Sequence, residues 1–190
     1  MNAKATTLAL GVLLGCAAAA QAQRYDYRLL ATSRTSTMEK EMNQAAETGY
    51  TFGDAMGGES AMGGKEVIVV MVKNLDAPAP RRRYKLVATS RTGTLQKELQ
   101  QAGDEGFQYC AQTVFQSAIA GREVAVILEH SGDSQAKRIE FKLLATNRTS
   151  TMEKELRQAG EAGFKFLGVV VGKTAFGGSE VISILQKTDK

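Results

Sequence analysis

The chain has 190 residues, 43% hydrophobic and 23% charged, with only two prolines; this balance excludes extended disorder and suits one globular domain or a few very small ones. A formal charge of +4 is too mild to imply nucleic acid. Acidic partners such as anionic lipid or envelope polysaccharide stay open through local patches.

Residues 1–22 read as a secretory signal. Lys4 gives the positive start, 8–20 (LALGVLLGCAAAA) the apolar core, and Ala20-Gln21-Ala22 a small-x-small cleavage site. The apolar run is too short for a membrane span, so the mature chain is expected in the periplasm or secreted, with no transmembrane segment. One alternative lies inside the signal. Leu13-Leu14-Gly15-Cys16 resembles a bacterial lipobox, in which Cys16 would be lipidated and anchor the protein. If Cys16 leaves with the signal, Cys110 stands alone and no intramolecular disulfide forms. Cys110 then reads as a small buried hydrophobe.

Beyond the signal the sequence is threefold. ATSRTSTMEKE at 31–41 returns as ATSRTGTLQKE at 88–98 and as ATNRTSTMEKE at 145–155, 57 residues apart both times. One supersecondary unit is used three times, over 24–73, 83–129 and 138–187. The connectors 74–82 and 130–137 are read as solvated linkers, the arginine run at 81–83 included.

Each unit opens with a short apolar strand (27–32, 84–89, 141–146), followed by a helix. Ser36 with Glu39, and Ser150 with Glu153, have capping-box spacing; Gly93 with Gln96 is the weaker version. Met38, Met42 and Ala45, then Leu95, Leu99 and Ala102, then Met152, Leu156 and Ala159 recur at i, i+4, i+7 and define the buried helix face. Gly49, Gly106 and Gly163 end the helices. A second strand follows, led by the pairs Tyr50/Phe52, Phe107/Tyr109 and Phe164/Phe166, expected to face the helix. Strongly β-forming third strands lie at 66–73, 123–129 and 180–187. Each repeat is therefore βαββ, and the fold class is α+β. A 50-residue unit buries only a modest core alone, so the three are expected to pack together about a pseudo-threefold axis, with beads on a string as the alternative.

The helix ends Gly103-Asp-Glu-Gly106-Phe107 and Gly160-Glu-Ala-Gly163-Phe164 carry a resemblance. Each repeat is similar to a small bacterial βαββ domain of unknown function whose helix ends Leu-x-x-x-Gly-x-x-Gly-Trp. Phe or Tyr stands here in place of Trp, and Ala46 replaces the first Gly in repeat one. The resemblance implies the fold and brings no activity or cofactor.

The recurring polar set is Arg34, Thr35 and Thr37, then Arg91, Thr92 and Thr94, then Arg148, Thr149 and Thr151. These residues sit where a strand runs into a helix N-terminus, a place suited to phosphate, sulfate or carboxylate. Ion pairs from the arginines to Glu41, Glu98 and Glu155, or to Glu66, Glu123 and Glu180, explain the same repetition without a ligand, and this structural account is preferred. Met62, Ile119 and Phe176 place an apolar residue in each hairpin turn and are candidate partner contacts. Enzyme chemistry finds little support. His130 is the only histidine and has no repeat equivalent, and no metal-ligand spacing, nucleophile–base pairing or phosphate loop is present. The reading is an exported, non-catalytic binding or scaffold protein without cofactor or metal, its partner a protein or an anionic envelope ligand. Small-anion or acidic-glycan binding is the alternative.

Overall fold

A strand, a helix and two more strands recur three times in a computed structural model, which describes residues 22–59, 65–117, 121–132, 137–173 and 178–188. The order is β1 (Tyr25–Thr32), α1 (Thr35–Glu47), β2 (Thr51–Glu59), β3 (Lys65–Asn74), β4 (Arg82–Thr89), α2 (Thr92–Asp104), β5 (Gln108–Ser117), β6 (Gly121–Ser131), β7 (Ile139–Thr146), α3 (Thr149–Glu161), β8 (Lys165–Lys173) and β9 (Ser179–Thr188). Every repeat forms its own three-stranded antiparallel sheet, in the orders β1-β3-β2, β4-β6-β5 and β7-β9-β8. The β-rich third strand is therefore central, and the helix carries the chain across it from one edge to the other.

Each helix begins two residues earlier than the capping-box spacing predicts. Arg34, Arg91 and Arg148 are the extended N-cap residues, and none caps through its side chain. The turn from strand to helix is made instead by a threonine hydroxyl: Thr32, Thr89 and Thr146 accept the N–H of Arg34, Arg91 and Arg148 at 3.2, 3.1 and 3.1 Å. With the cap moved, Glu39 is released from its expected local role and reaches the next repeat. The helix ends match expectation, since Gly49, Gly106 and Gly163 have φ of 90, 82 and 87°, a left-handed conformation that a side chain would strain.

The repeats share their cores. Met38, Met42, Ala45, Val67, Val69 and Met71 of repeat one cluster with Tyr84, Ala125 and Ile127 of repeat two. Leu95, Leu99, Ala102, Val124, Val126 and Leu128 of repeat two cluster in turn with Ile139, Phe141, Ile182 and Ile184 of repeat three. Repeat three keeps a small remainder, Leu144, Met152, Ala159 and Leu185. Helix α1 lies along β4 and α2 along β7, each against the first strand of the following repeat, while β2, β5 and β8 stack in sequence. A pseudo-threefold arrangement would set α3 on β1 in the same way. That third junction is not made: Tyr27 of β1 is 63% exposed, whereas Tyr84 and Phe141 in the same slot are each 3% exposed. The units follow one another serially: α1 and α2 each seat on the next sheet, and among the described residues α3 meets no second sheet.

Three boundary expectations change for the same reason. Arg82 and Arg83 of the arginine run open β4, with Arg81 just before it, and Arg82 Nε lies 3.2 Å from Glu129 Oε1. His130 belongs to β6, its ring 5.4 Å from that of Phe107. Phe166 pairs with Leu185, which packs with Met152 and Ala159 of α3, yet it is 49% exposed where Phe52 is partly buried against the core shared with the next repeat.

Candidate functional site

The Arg–Thr sets stand at three separate helix N-termini. The guanidinium groups of Arg34, Arg91 and Arg148 are exposed, and none of the ion pairs among the described residues involves them. The preferred Arg–Glu pairing is therefore not made among the described residues. Glu180 instead accepts a hydrogen bond from the Thr92 hydroxyl of the preceding repeat. The sets do not converge. Arg91 and Thr92 line a narrow hollow with Glu123, Gly172 and Ile182. Thr35 and Ser36 line a different, open cleft of about 430 Å³ with Glu39, Lys85 and Glu98. Met62, Ile119 and Phe176 lie outside the described residues, as do Cys16 and the signal segment, Ala22 excepted.

The strongest polar geometry lies between repeats, where sequence reading placed nothing. Strand β4 is an edge strand, and its free backbone edge is closed by α1. The Asn43 amide accepts Tyr84 N–H at 2.9 Å and donates to Tyr84 O at 2.9 Å, and Glu39 Oε2 accepts Leu86 N–H at 2.8 Å. The second junction repeats the device with glutamines. Gln100 Oε1 accepts Phe141 N–H at 3.0 Å; Gln96 accepts Leu143 N–H at 2.7 Å and donates to Phe141 O at 2.9 Å. An unpaired edge is a liability in a sheet, and a side-chain amide carries both the donor and the acceptor that an edge needs. The signal was present in the sequence as polar residues at 39 and 43, then 96 and 100, on the helix face beside the apolar stripe.

At the first junction the Tyr84 hydroxyl also accepts Phe52 N–H at 2.7 Å and donates to Glu129 Oε2 at 2.8 Å. Burial, then the bond to Glu129, raises the Tyr84 pKa above the ordinary tyrosine value. Cys110 lies beside this group, half-buried against the shared core. Burial first, and the Glu129 charge second, push its thiol up to about 12, the reverse of what activates a cysteine.

A second recurring feature is an aromatic ring at each helix C-terminus flanked by cations. Arg28 and Lys73 lie 4.7 and 5.7 Å from the Tyr50 ring, Lys85 and Arg83 lie 5.3 and 5.6 Å from Phe107, and Lys142 and Lys187 lie 5.1 and 5.6 Å from Phe164. Cation–π attraction and the negative end of the helix dipole both favour this placement, so it serves the fold.

No group of three or more His, Cys, Asp or Glu is placed to hold a metal among the described residues, and no helix there is long and apolar enough to cross a membrane. Comparison with family models, with curated proteins and with solved structures finds no match.

Proposed function

We propose that this is an exported, non-catalytic binding or scaffold protein of the bacterial envelope, built from three copies of a small βαββ unit. One observation carries the reading. Among the described residues, every exposed large apolar side chain except Leu75 lies at one of the two ends of the array: Tyr25, Tyr27, Leu29 and Met56 on repeat one, and Phe166, Val169 and Val171 on repeat three. Exposed apolar patches of this kind mark interaction surfaces. The hydrogen-bonding groups at Asn43, Gln96, Gln100 and Tyr84 are occupied in joining repeats. The test is photo-cross-linking in the native envelope from Tyr27 and Val169. Capture of a protein there supports the reading, and silence at both positions while the chain is exported and folded refutes it.

A second reading, small-anion or acidic-glycan binding, is favoured by the exposed guanidinium groups of Arg34, Arg91 and Arg148 beside free helix N–H groups. A ligand at about 100 times its Kd adds about 2.7 kcal/mol of stability. Thermal unfolding against phosphates, sulfates and acidic sugars reads this directly. A shift that disappears in the Arg34/Arg91/Arg148→Gln protein is required; no shift with any of them removes the reading.

A further inference from the structure

We infer that the two open ends are the two halves of one interface, and that a second copy of this chain docks head to tail, α3 of one copy lying along β1 of the next. This rests on the binding-protein reading above and names its partner.

The argument starts from the two junctions already made inside the chain. Each places a helix along the outer edge of the next repeat's first strand, and stacks a second strand on the following one. Among the described residues α3 packs only on its own sheet, with no strand of a following repeat beside it, and β1 has no helix of a preceding repeat beside it. Both unpaired surfaces keep the form of the paired ones. Tyr27 and Leu29 of β1 hold the slots of Tyr84 and Leu86, and of Phe141 and Leu143, whose backbone edges are closed by the preceding helix.

Gly160 holds the slot of Gly103. A Cβ at Gly103 would fall 2.2 Å from Ile139 O and 2.9 Å from the Phe141 ring, so glycine there permits the closest approach of α2 to β7. At Gly160 a Cβ meets nothing within 4 Å. A helix-weakening residue with no neighbour among the described residues of its own chain is explained if a neighbour arrives from another.

The polar groups match as well. Glu153 holds the slot of Glu39, which accepts Leu86 N–H, so Glu153 faces Leu29 N–H in the docked pair. Arg157 replaces Asn43 and Gln100 and can only donate. The edge it would meet is altered to suit: Tyr27 N–H is already taken by Asp26 Oδ1 at 2.9 Å, leaving Tyr27 O to receive the donor. In the free chain Arg157 rests on Glu153 at 3.0 Å.

Duplication accounts for Tyr27, Leu29 and Phe166, whose repeat equivalents are also apolar, but not for Val169 and Met56, where the repeats have diverged. Val169 corresponds to Ala55 and Gln112, and Met56 to Thr113 and Val170. The larger or more apolar residue stands at the exposed end in comparisons with the half-buried Gln112 and Thr113, where a solvated cap would favour the reverse. A heterologous contact of this kind extends into a ring or a filament.

The experiment uses the chain expressed from residue 1 and recovered as the host processes it. Sedimentation velocity over a concentration series is expected to show association beyond a monomer. Leu29→Lys blocks the β1 end and Gly160→Gln the α3 end; both positions are exposed, and circular dichroism checks that each variant is folded. Each variant alone is expected to remain monomeric at concentrations where the parent associates. Their equimolar mixture is expected to form a dimer and nothing larger, since only one good end of each remains. A parent that stays monomeric into the millimolar range overturns the inference, as does a variant that associates like the parent or a mixture that fails to pair. If the parent is monomeric yet Tyr27 or Val169 cross-links to a different envelope protein, the binding-protein reading stands and the second copy is excluded. If neither self-association nor cross-linking is found, both fall.

Discussion

Gly103→Ala and Gly160→Ala are the same change at equivalent positions, and the serial packing predicts opposite signs for them. Each glycine lies in the last turn of its helix, where alanine gains up to about 1 kcal/mol of helix propensity. At Gly160 nothing opposes the gain, so Tm should rise by about 2–4 °C for a chain of this size. At Gly103 the new methyl would sit 2.2 Å from the Ile139 carbonyl oxygen. Backbone cannot rotate away as a side chain can, so α2 and β7 must part by about 1 Å to restore a normal contact. Overpacking costs about 1–3 kcal/mol, and parting the elements stretches the bonds from Gln96 and Gln100, each worth about 0.5–1.5 kcal/mol. The net loss is about 2–4 kcal/mol, or roughly 5–15 °C in Tm. Thermal unfolding followed by circular dichroism at low micromolar protein, where the chains are kept apart, measures both. If Gly103→Ala stabilises as much as Gly160→Ala, α2 does not dock on β7 and the serial packing is wrong.

Tyr84→Phe removes the acceptor for Phe52 N–H and the donor to Glu129 Oε2; leaving Phe52 N–H unmatched and Glu129 with Arg82 alone should cost about 1–3 kcal/mol in urea unfolding, and an unchanged midpoint would show that the hydroxyl is dispensable. Cys110 should react with a thiol reagent far more slowly in the native protein than in denaturant, because its folded pKa is raised from 9.0 to about 12. The sign follows for stability: the neutral thiol is favoured in the folded state, so its contribution is intact below pH 9 and is lost as pH rises from 9 towards 12. Cys110→Ala should flatten that alkaline decline, and an unaltered alkaline profile would refute the assignment.

What the sequence made legible is what repeats within a unit. The i, i+4, i+7 stripe from Met38 to Ala45 and the glycines at 49, 106 and 163 depend on local geometry, and they appear in the structure as read. The helix starts were misplaced because Ser36 and Glu39 satisfy a local rule while Glu39 is drawn to Leu86 N–H, 47 residues away. No local pattern weighs a capping bond against an edge strand of the next repeat. The same limit hid the amide clamps of Asn43, Gln96 and Gln100, and it made the Arg–Glu pairing look simpler than an unpaired arginine at each cap.

The asymmetry between the repeats follows from this packing and was hidden by their likeness. Repeats one and three carry nearly the same helix sequence, TSTMEKEMNQAAE and TSTMEKELRQAGE, yet α1 is also covered by β4 of the next repeat, whereas among the described residues α3 packs only on its own sheet. A symmetric ring would make the three helices equivalent and leave no face over. A serial array makes the ends unlike, one a bare strand edge bearing Tyr27 and Leu29, the other a helix face bearing Glu153, Arg157 and Gly160. Surfaces that unlike, each shaped as the complement to the other's internal counterpart, fit each other and not themselves. The binding question for this protein therefore belongs at its two ends before its arginines, because only the ends repeat a contact that the chain already makes twice.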